Sequence, residues 1–213
     1  MRLGLRTDTG DITGKVLESV DDVRLSKDAV LKMIKEFPKE YLQEVPIYSA
    51  VKINGKKLYE YARSGQEVEV EPREIEIYRI ELIEYINNRI EFEVECSKGT
   101  YIRTLCENIA EKLGTIGYMK ELQRTSVDKF KIKESINLEE LSEDEAQKKI
   151  LTIENIFKEK EKIYLNDKGV ELFLNGVQLT RELEDDVYRV YNDNKFIGLG
   201  IIKNKLLKRD IVI

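Results

Sequence analysis

The sequence has no histidine, two cysteines, Cys96 and Cys106, and three prolines. The absence of histidine excludes any mechanism that needs a histidine base in this chain. The two cysteines do not have the spacing of metal ligands, so we expect no zinc or other metal site. Both are interpreted as small apolar residues, reduced in the cytosol.

Long apolar runs are also missing. No run reaches the roughly 18 residues that a membrane span needs, and the first residues lack the apolar core of a signal peptide, so the cytoplasm is the expected location. Hydrophobic residues make up 41% of the chain and charged residues 36%, which indicates a globular core beneath a well-solvated surface. The net charge of −5 argues against a uniformly basic RNA-binding surface, although it allows a local basic patch.

The stretch from Glu95 to Leu113 is the predicted functional centre. Apolar and polar residues alternate along residues 89–96, which predicts a strand. The apolar residues that follow recur every three or four positions, which predicts a helix. The turn between them, residues 97–100, is polar and contains glycine, so it can direct backbone N–H groups at an anion. Tyr101 and Arg103 open the helix, where a ring could stack on a base and a guanidinium could meet a carboxylate or phosphate. An ordinary strand–turn–helix with a solvated arginine is the alternative.

A second segment, residues 43–65, combines tyrosines with basic residues around an Asn54-Gly55 turn. Cations can follow phosphates, and rings can hold splayed bases. On residue types alone, packing of the rings against a local helix under solvated lysines is favoured over RNA binding. The basic residues concerned are Lys52, Lys56, Lys57 and Arg63.

Three motifs in matching order resemble the TruB family, the bacterial tRNA pseudouridine synthases that act on the T-loop uridine. They are Leu3-Gly-Leu-Arg-Thr-Asp-Thr-Gly-Asp11, the segment 43–65, and Cys96-Ser-Lys-Gly-Thr-Tyr-Ile-Arg-Thr-Leu105. The resemblance covers most of residues 1–135, with a weaker echo to the C-terminus.

The resemblance implies a role for several residues. Arg103 would orient a catalytic aspartate, Tyr101 would line the pocket beside the target base, and Leu122 would pack against that base. Leu122 could also be ordinary core, and the two interpretations are compatible. Contacts to the T-arm of tRNA would come from Lys52, Lys56, Lys57 and Arg63, with Lys98 as a weaker phosphate contact. The family uses no cofactor, so none is expected.

One motif of the family is not found in the sequence. The family's nucleophilic aspartate lies upstream, in a Gly-Thr-Leu-Asp-Pro segment, and none of the three prolines here follows an aspartate. We therefore expect a TruB protein that begins partway through its catalytic domain and is inactive alone. Arg103 would then need water or another acid as its partner. An incomplete sheet would expose an edge and apolar surface, which predicts poor stability, self-association or pairing with another chain.

Turn and cap signals predict the remaining elements. Asp8 and Asp11 lie in a turn-rich loop and are interpreted as turn-forming residues rather than an acid or metal site. Ser26 is predicted to cap a helix to residue 37, and Asn137 to cap one that runs from 141 to 150. A long strand from 74 to 85, with a bulge or a switch of face, precedes the hairpin turn at residues 87–88. Residues 159–162 are a candidate charged linker, followed by a helix over 167–175 and three short strands from residue 187 onwards.

The expected fold is α+β, with a mixed, mainly antiparallel sheet flanked by helices and a small β-rich, PUA-like C-terminal module. The expected domains are a catalytic part, 1–160, with an RNA-gripping insertion at about 43–74, and an RNA-binding module, 161–213. The predicted function is isomerisation of the T-loop uridine, position 55, by base flipping. The alternatives are a non-catalytic tRNA-binding protein with the same fold and a protein-interaction module.

Overall fold

The structure is a computed structural model that describes residues 1–213 and separates them into two units, Met1–Ile132 and Lys133–Ile213. The sequence-based boundary after residue 160 concerns family modules and stays a prediction. None of the helices combines the length and the apolar character needed to cross a membrane.

The first unit contains eleven strands and three α-helices. The strands are β1 (Arg2–Leu3), β2 (Leu5–Thr7), β3 (Val16–Ser19), β4 (Glu40–Gln43), β5 (Lys52–Ile53), β6 (Lys56–Lys57), β7 (Arg73–Ile86), β8 (Arg89–Cys96), β9 (Gly117–Tyr118), β10 (Ser126–Val127) and β11 (Phe130–Lys131). The helices are α1 (Lys27–Lys35), α2 (Leu58–Arg63) and α3 (Ile102–Lys112).

The main sheet of this unit has the order β4-β7-β8-β1-β9, and all of its neighbouring strands are antiparallel. The predicted hairpin of β7 and β8 is confirmed, with Asn87 and Asn88 at φ values of 49° and 60° in the turn. The predicted bulge is confirmed as two register shifts along β7. These shifts bend a long strand so that it covers the helices with one face.

Helices α1 and α3 supply most of the apolar side chains that cover the sheet. Ser26 caps α1 as predicted, because its hydroxyl accepts a hydrogen bond from Ala29 N at 3.1 Å. The core of the unit is a contiguous cluster: Met1, Leu3, Val30, Ile34, Phe37, Ile75, Ile77, Ile90, Leu105, Cys106, Ile109 and Ala110. Outside it, the β2–β3 hairpin exposes Val16 and Leu17, at 59% and 65%.

The second unit is a five-stranded sheet with short helices. Its helices are α4 (Glu143–Lys149), α5 (Ile153–Ile156) and α6 (Asp167–Leu174), and its strands are β12 (Lys162–Tyr164), β13 (Leu179–Thr180), β14 (Val187–Asn192), β15 (Lys195–Lys203) and β16 (Leu206–Val212). The strand order is β12-β14-β15-β16-β13, and only the β12–β14 pair is parallel. The predicted helix and three strands are confirmed, and fully buried Phe173 of α6 lies in their core.

Two predictions for this unit are wrong. Asn137 caps no helix, because Ser142 and Glu145 form a reciprocal capping box that starts α4 at Glu143 instead. Residues 159–162 are not a linker, because the Glu161 carbonyl accepts a hydrogen bond from Arg189 N at 2.8 Å, and Lys162 begins β12. The mixed charges of this stretch resembled those of a linker, but they belong to the edge of a sheet.

Candidate functional site

The turn between β8 and α3 is held by its own polar side chains. Thr100 Oγ1 donates to Ser97 O at 2.9 Å, and Ser97 Oγ accepts from Glu76 N at 2.9 Å. Gly99 has a φ of 93°, which an L side chain rarely adopts. The turn therefore fixes where α3 begins, with Tyr101 as its N-cap residue.

Arg103 is the point where three segments of the first unit meet. Its Nη1 donates to Thr9 O at 3.1 Å and to Asp11 Oδ2 at 3.2 Å, and its Nη2 donates to Tyr48 O at 2.7 Å. The side chain is only 22% exposed. The guanidinium, expected to need water or another acid, thus has an acid of this chain, Asp11, as its partner.

Asp11 combines the predicted turn role with an ion pair that the sequence did not reveal. Its Oδ1 accepts from Thr9 Oγ1 at 2.9 Å, from Thr13 N at 3.0 Å and from Thr13 Oγ1 at 2.6 Å. Partial burial opposes ionisation, but these hydrogen bonds and the Arg103 charge outweigh it, so the pKa of Asp11 is lowered. The carboxylate therefore stays charged beside the guanidinium.

A second carboxyl group, Glu107, lies one helical turn beyond Arg103. Burial raises its pKa, although the charges of Arg6 and Arg103 oppose the shift. The loop can approach this part of α3 because Gly10 has no side chain: a Cβ there would lie 3.3 Å from Glu107 Oε1, and its φ is 72°. No group of three or more metal-ligating side chains is close enough to hold a metal ion.

The basic–aromatic segment folds as the β5–β6 hairpin followed by α2. Asn54 and Gly55 adopt φ values of 50° and 79° in the predicted tight turn. Leu58 is fully buried and anchors the helix.

Cations of the same segment lie on tyrosine rings. Lys57 Nζ and Arg63 Cζ each lie 5.4 Å from the centroid of the Tyr59 ring. Lys56 Nζ lies 4.4 Å from the centroid of the Tyr61 ring and also donates to Gln66 Oε1 at 3.1 Å. The rings therefore help to arrange the positive groups, and Lys57 Nζ also donates to Tyr59 OH at 3.4 Å.

Two family models match adjacent parts of the chain. The model of the TruB family pseudouridylate synthase (N terminal domain) matches residues 1–102, and that of the tRNA pseudouridylate synthase B C-terminal domain matches residues 103–161. The tRNA pseudouridine synthase B of Clostridium tetani (strain Massachusetts / E88) is 43% identical over 206 residues, which cover 94% of this chain and 71% of that protein. The protein of the same name from Francisella tularensis subsp. novicida (strain U112) is 36% identical over 225 residues, covering 100% of this chain and 74% of that protein. The chain belongs to the TruB family.

Solved structures share the fold of this TruB-family chain. One is a Cbf5-Nop10-Gar1 complex, with a TM-score of 0.64 and 23% identity over 89% of this chain and 63% of that chain. Another is an H/ACA RNP bound to a substrate RNA containing 2'-deoxyuridine, with a TM-score of 0.62 and 21% identity over 89% of this chain and 62% of that chain. At these identities the similarity establishes the α+β fold, which confirms the fold class expected from the sequence.

The structure joins Arg103 to two other segments of the first unit. Arg103 contacts both the loop around Asp11 and the segment that contains Tyr48. Leu122 is 56% exposed, so the interpretation as ordinary core is wrong. Lys52 and Lys98 are exposed, on the β5–β6 hairpin and on the turn before α3. Their roles toward RNA stay predictions.

Asp11 has the predicted turn role, but its ion pair with Arg103 was missed from the sequence. Nothing in the local pattern connects it with Arg103, which lies 92 positions away. The only available signal was its position at the end of one of the three motifs that carried the resemblance.

Proposed function

We propose that this chain carries the base-binding and RNA-gripping part of a tRNA pseudouridine synthase that isomerises the T-loop uridine, position 55. The main support is that Arg103, which the resemblance assigns to the catalytic centre, is fixed by three hydrogen-bonded partners at the start of α3. A guanidinium held in this way can orient a carboxylate with little loss of side-chain freedom.

The reaction needs a flipped nucleotide and a nucleophile. The target uridine leaves the T-loop stack and enters a pocket beside Tyr101, with Leu122 against the base. A carboxylate oxygen bonds to C1' as the bond from C1' to N1 breaks. The uracil then rotates, and C5 bonds to C1' as the carboxylate leaves that carbon. The hydrogen on C5 is lost as a proton, and N1 takes up a proton. Leu122 is exposed in the free chain, so it is available to cover the base.

We further propose that the 213-residue chain alone makes no pseudouridine. Asp11 is a poor replacement for the missing aspartate, because both of its oxygens already accept hydrogen bonds. In this proposal Asp11 holds Arg103 in place, and the attacking carboxylate is a different one.

A tritium-release assay on unmodified tRNA labelled at C5 of uridine tests the catalytic half of the proposal. The chain should release no tritium above background, while the Clostridium tetani relative, assayed in parallel, should release it. Turnover by the chain would refute the proposed inactivity.

Binding of a T-arm hairpin tests the RNA half. Four phosphate contacts, from Lys52, Lys56, Lys57 and Arg63, predict that affinity falls about 50-fold to 150-fold between about 50 and about 200 mM salt. A protein-interaction module would not bind the hairpin even at the lower salt concentration.

An abasic substitution at the target position separates the two RNA-binding alternatives. A base-binding pocket predicts at least about fivefold weaker binding of the abasic hairpin, since stacking on one base is worth about 1–3 kcal/mol. The alternative, a non-catalytic tRNA-binding protein that does not receive the base, predicts equal affinity for both hairpins.

A further inference from the structure

Gln43, the last residue of β4, is a buried polar residue next to the candidate site. Only 2% of it is exposed. A polar group buried to this extent needs hydrogen-bond partners, because leaving it unpaired is costly. Its partners therefore show which part of the structure the residue serves.

The Gln43 amide binds both backbone groups of Tyr101. Tyr101 N donates to Gln43 Oε1 at 2.8 Å, and Gln43 Nε2 donates to Tyr101 O at 3.2 Å. These two bonds resemble the pair that facing residues exchange in an antiparallel sheet. Tyr101 has extended backbone angles, with φ −93° and ψ 109°, and its own side chain does not cap α3.

The same amide is connected to the body of α3. Gln43 Nε2 also donates to Tyr41 OH at 3.2 Å, and Tyr41 OH donates to Asn108 Oδ1 at 3.0 Å. Further along the segment that follows β4, Tyr48 O accepts the hydrogen bond from Arg103. The end of β4 and the segment after it thus hold the first turns of α3 at three points.

We propose that Gln43 is a positioning residue that sets the direction in which Tyr101 and Arg103 leave the start of α3. The inference rests on the proposed function, because it holds that Gln43 helps to shape the pocket that receives the uracil. A purely structural glutamine would stabilise the unit without affecting how the site distinguishes one RNA from another.

Hydrogen exchange tests whether the amide holds the helix start. Gln43→Met keeps the length of the side chain and removes both hydrogen bonds to Tyr101. The amides of Tyr101 and Leu105, whose N–H donates to Tyr101 O at 2.9 Å, should exchange about fivefold to tenfold faster. Amides of β8 should not change. Gln66→Met, at an exposed glutamine, is the matched control. Unchanged protection at Tyr101 would overturn the proposal.

RNA binding tests whether the hydrogen bonds between Gln43 and the Tyr101 backbone affect the candidate site. Gln43→Met should reduce the preference for the uridine hairpin over the abasic one by at least about fivefold while leaving the salt dependence intact. Tyr101→Ala should reduce the same preference in the wild-type background and have little further effect in the Gln43→Met background. If the Tyr101 amide exchanges faster but the preference for the uridine hairpin is unchanged, Gln43 has only a structural role and the positioning role is overturned.

Two outcomes need separate treatment. If the wild-type chain binds neither hairpin, the proposed function fails and the pocket role of Gln43 fails with it, whereas the exchange experiment still reports on the backbone contact. If Gln43→Met does not fold, Tyr41→Phe replaces it, because this variant removes only the hydroxyl between Gln43 and Asn108. About twofold to threefold faster exchange at Tyr101 and a smaller loss of preference would then be expected. No change in either would overturn the proposal.

Discussion

Replacing Asp11 by asparagine tests the ion pair on which the geometry of the site depends. Asp11→Asn keeps an oxygen for the hydrogen bonds from Thr9 and Thr13 but removes the negative charge. The new amide also places a donor, instead of an acceptor, beside Arg103 Nη1. The variant therefore isolates the contribution of the ion pair from that of the turn.

The magnitude follows from the geometry. The two charged atoms are 3.2 Å apart, and the Arg103 and Asp11 side chains are 22% and 18% exposed. Two unit charges about 4 Å apart interact by about 4 kcal/mol at an effective dielectric constant of about 20, and removing one partner of a buried pair costs about 3–5 kcal/mol. The guanidinium would still donate to Thr9 O and Tyr48 O and keeps some contact with water. We therefore expect a loss of about 2–3 kcal/mol in the free energy of unfolding.

The free energy of unfolding is measured on the full chain at increasing urea concentrations. Hydrogen exchange of the α3 amides is the readout, because these amides report on the first unit. Asp8→Asn is the matched control, because Asp8 Oδ1 accepts a hydrogen bond from Lys15 N at 2.8 Å in the same loop and the asparagine oxygen can replace it. The control should change stability by less than about 0.5 kcal/mol. A stabilising ion pair is excluded if Asp11→Asn costs no more free energy of unfolding than Asp8→Asn. A coupling energy below about 0.5 kcal/mol in a double-mutant cycle with Arg103→Met would exclude it as well.

Three further predictions concern other parts of the chain. Tyr59→Leu should weaken T-arm binding about threefold to fivefold in gel shifts, because the ring contacts Arg63 and the hydroxyl accepts from Lys57 Nζ at 3.4 Å. Tyr59→Phe removes only the hydroxyl contact and should weaken binding less. Ser142→Ala should cost about 1 kcal/mol of stability in the second unit and Asn137→Ala less than about 0.5 kcal/mol, by urea unfolding. Glu107→Gln should stabilise the first unit at neutral pH and not at pH values below the ordinary carboxyl pKa, by the same measurement. The raised pKa of Glu107 adds stability at low pH that is lost as pH rises through the folded-state pKa.

Local patterns predicted the elements that carry the site. The spacing of apolar residues changes from every second position to a helical repeat, and this change located β8 and α3. The Asn54-Gly55 and Asn87-Asn88 pairs indicated the two hairpin turns, because positive φ values are needed there. Ser26 was a sufficient signal for the start of α1, since its capping hydrogen bond is local. These features depend on residues that are close in the sequence.

Long-range contacts could not be predicted from the same signals. The Asp11–Arg103 pair and the Gln43–Tyr101 contact join residues 92 and 58 positions apart, and nothing in either local pattern specifies the partner. Local competition explains the misplaced cap. Asn137 and Ser142 are both good N-cap residues, and each has a glutamate three positions later. The structure forms the reciprocal capping box only at Ser142 and Glu145.

Photocrosslinking from 4-thiouridine at the target position of a T-arm hairpin tests the account most directly. The thio base reacts with whatever touches it in the complex, and mass spectrometry identifies the peptide. We expect crosslinks to the peptides that contain Tyr101 or Leu122, and their loss when 4-thiouridine is moved into the stem of the hairpin. Crosslinks confined to residues 133–213, or equal yields from both positions, would contradict it.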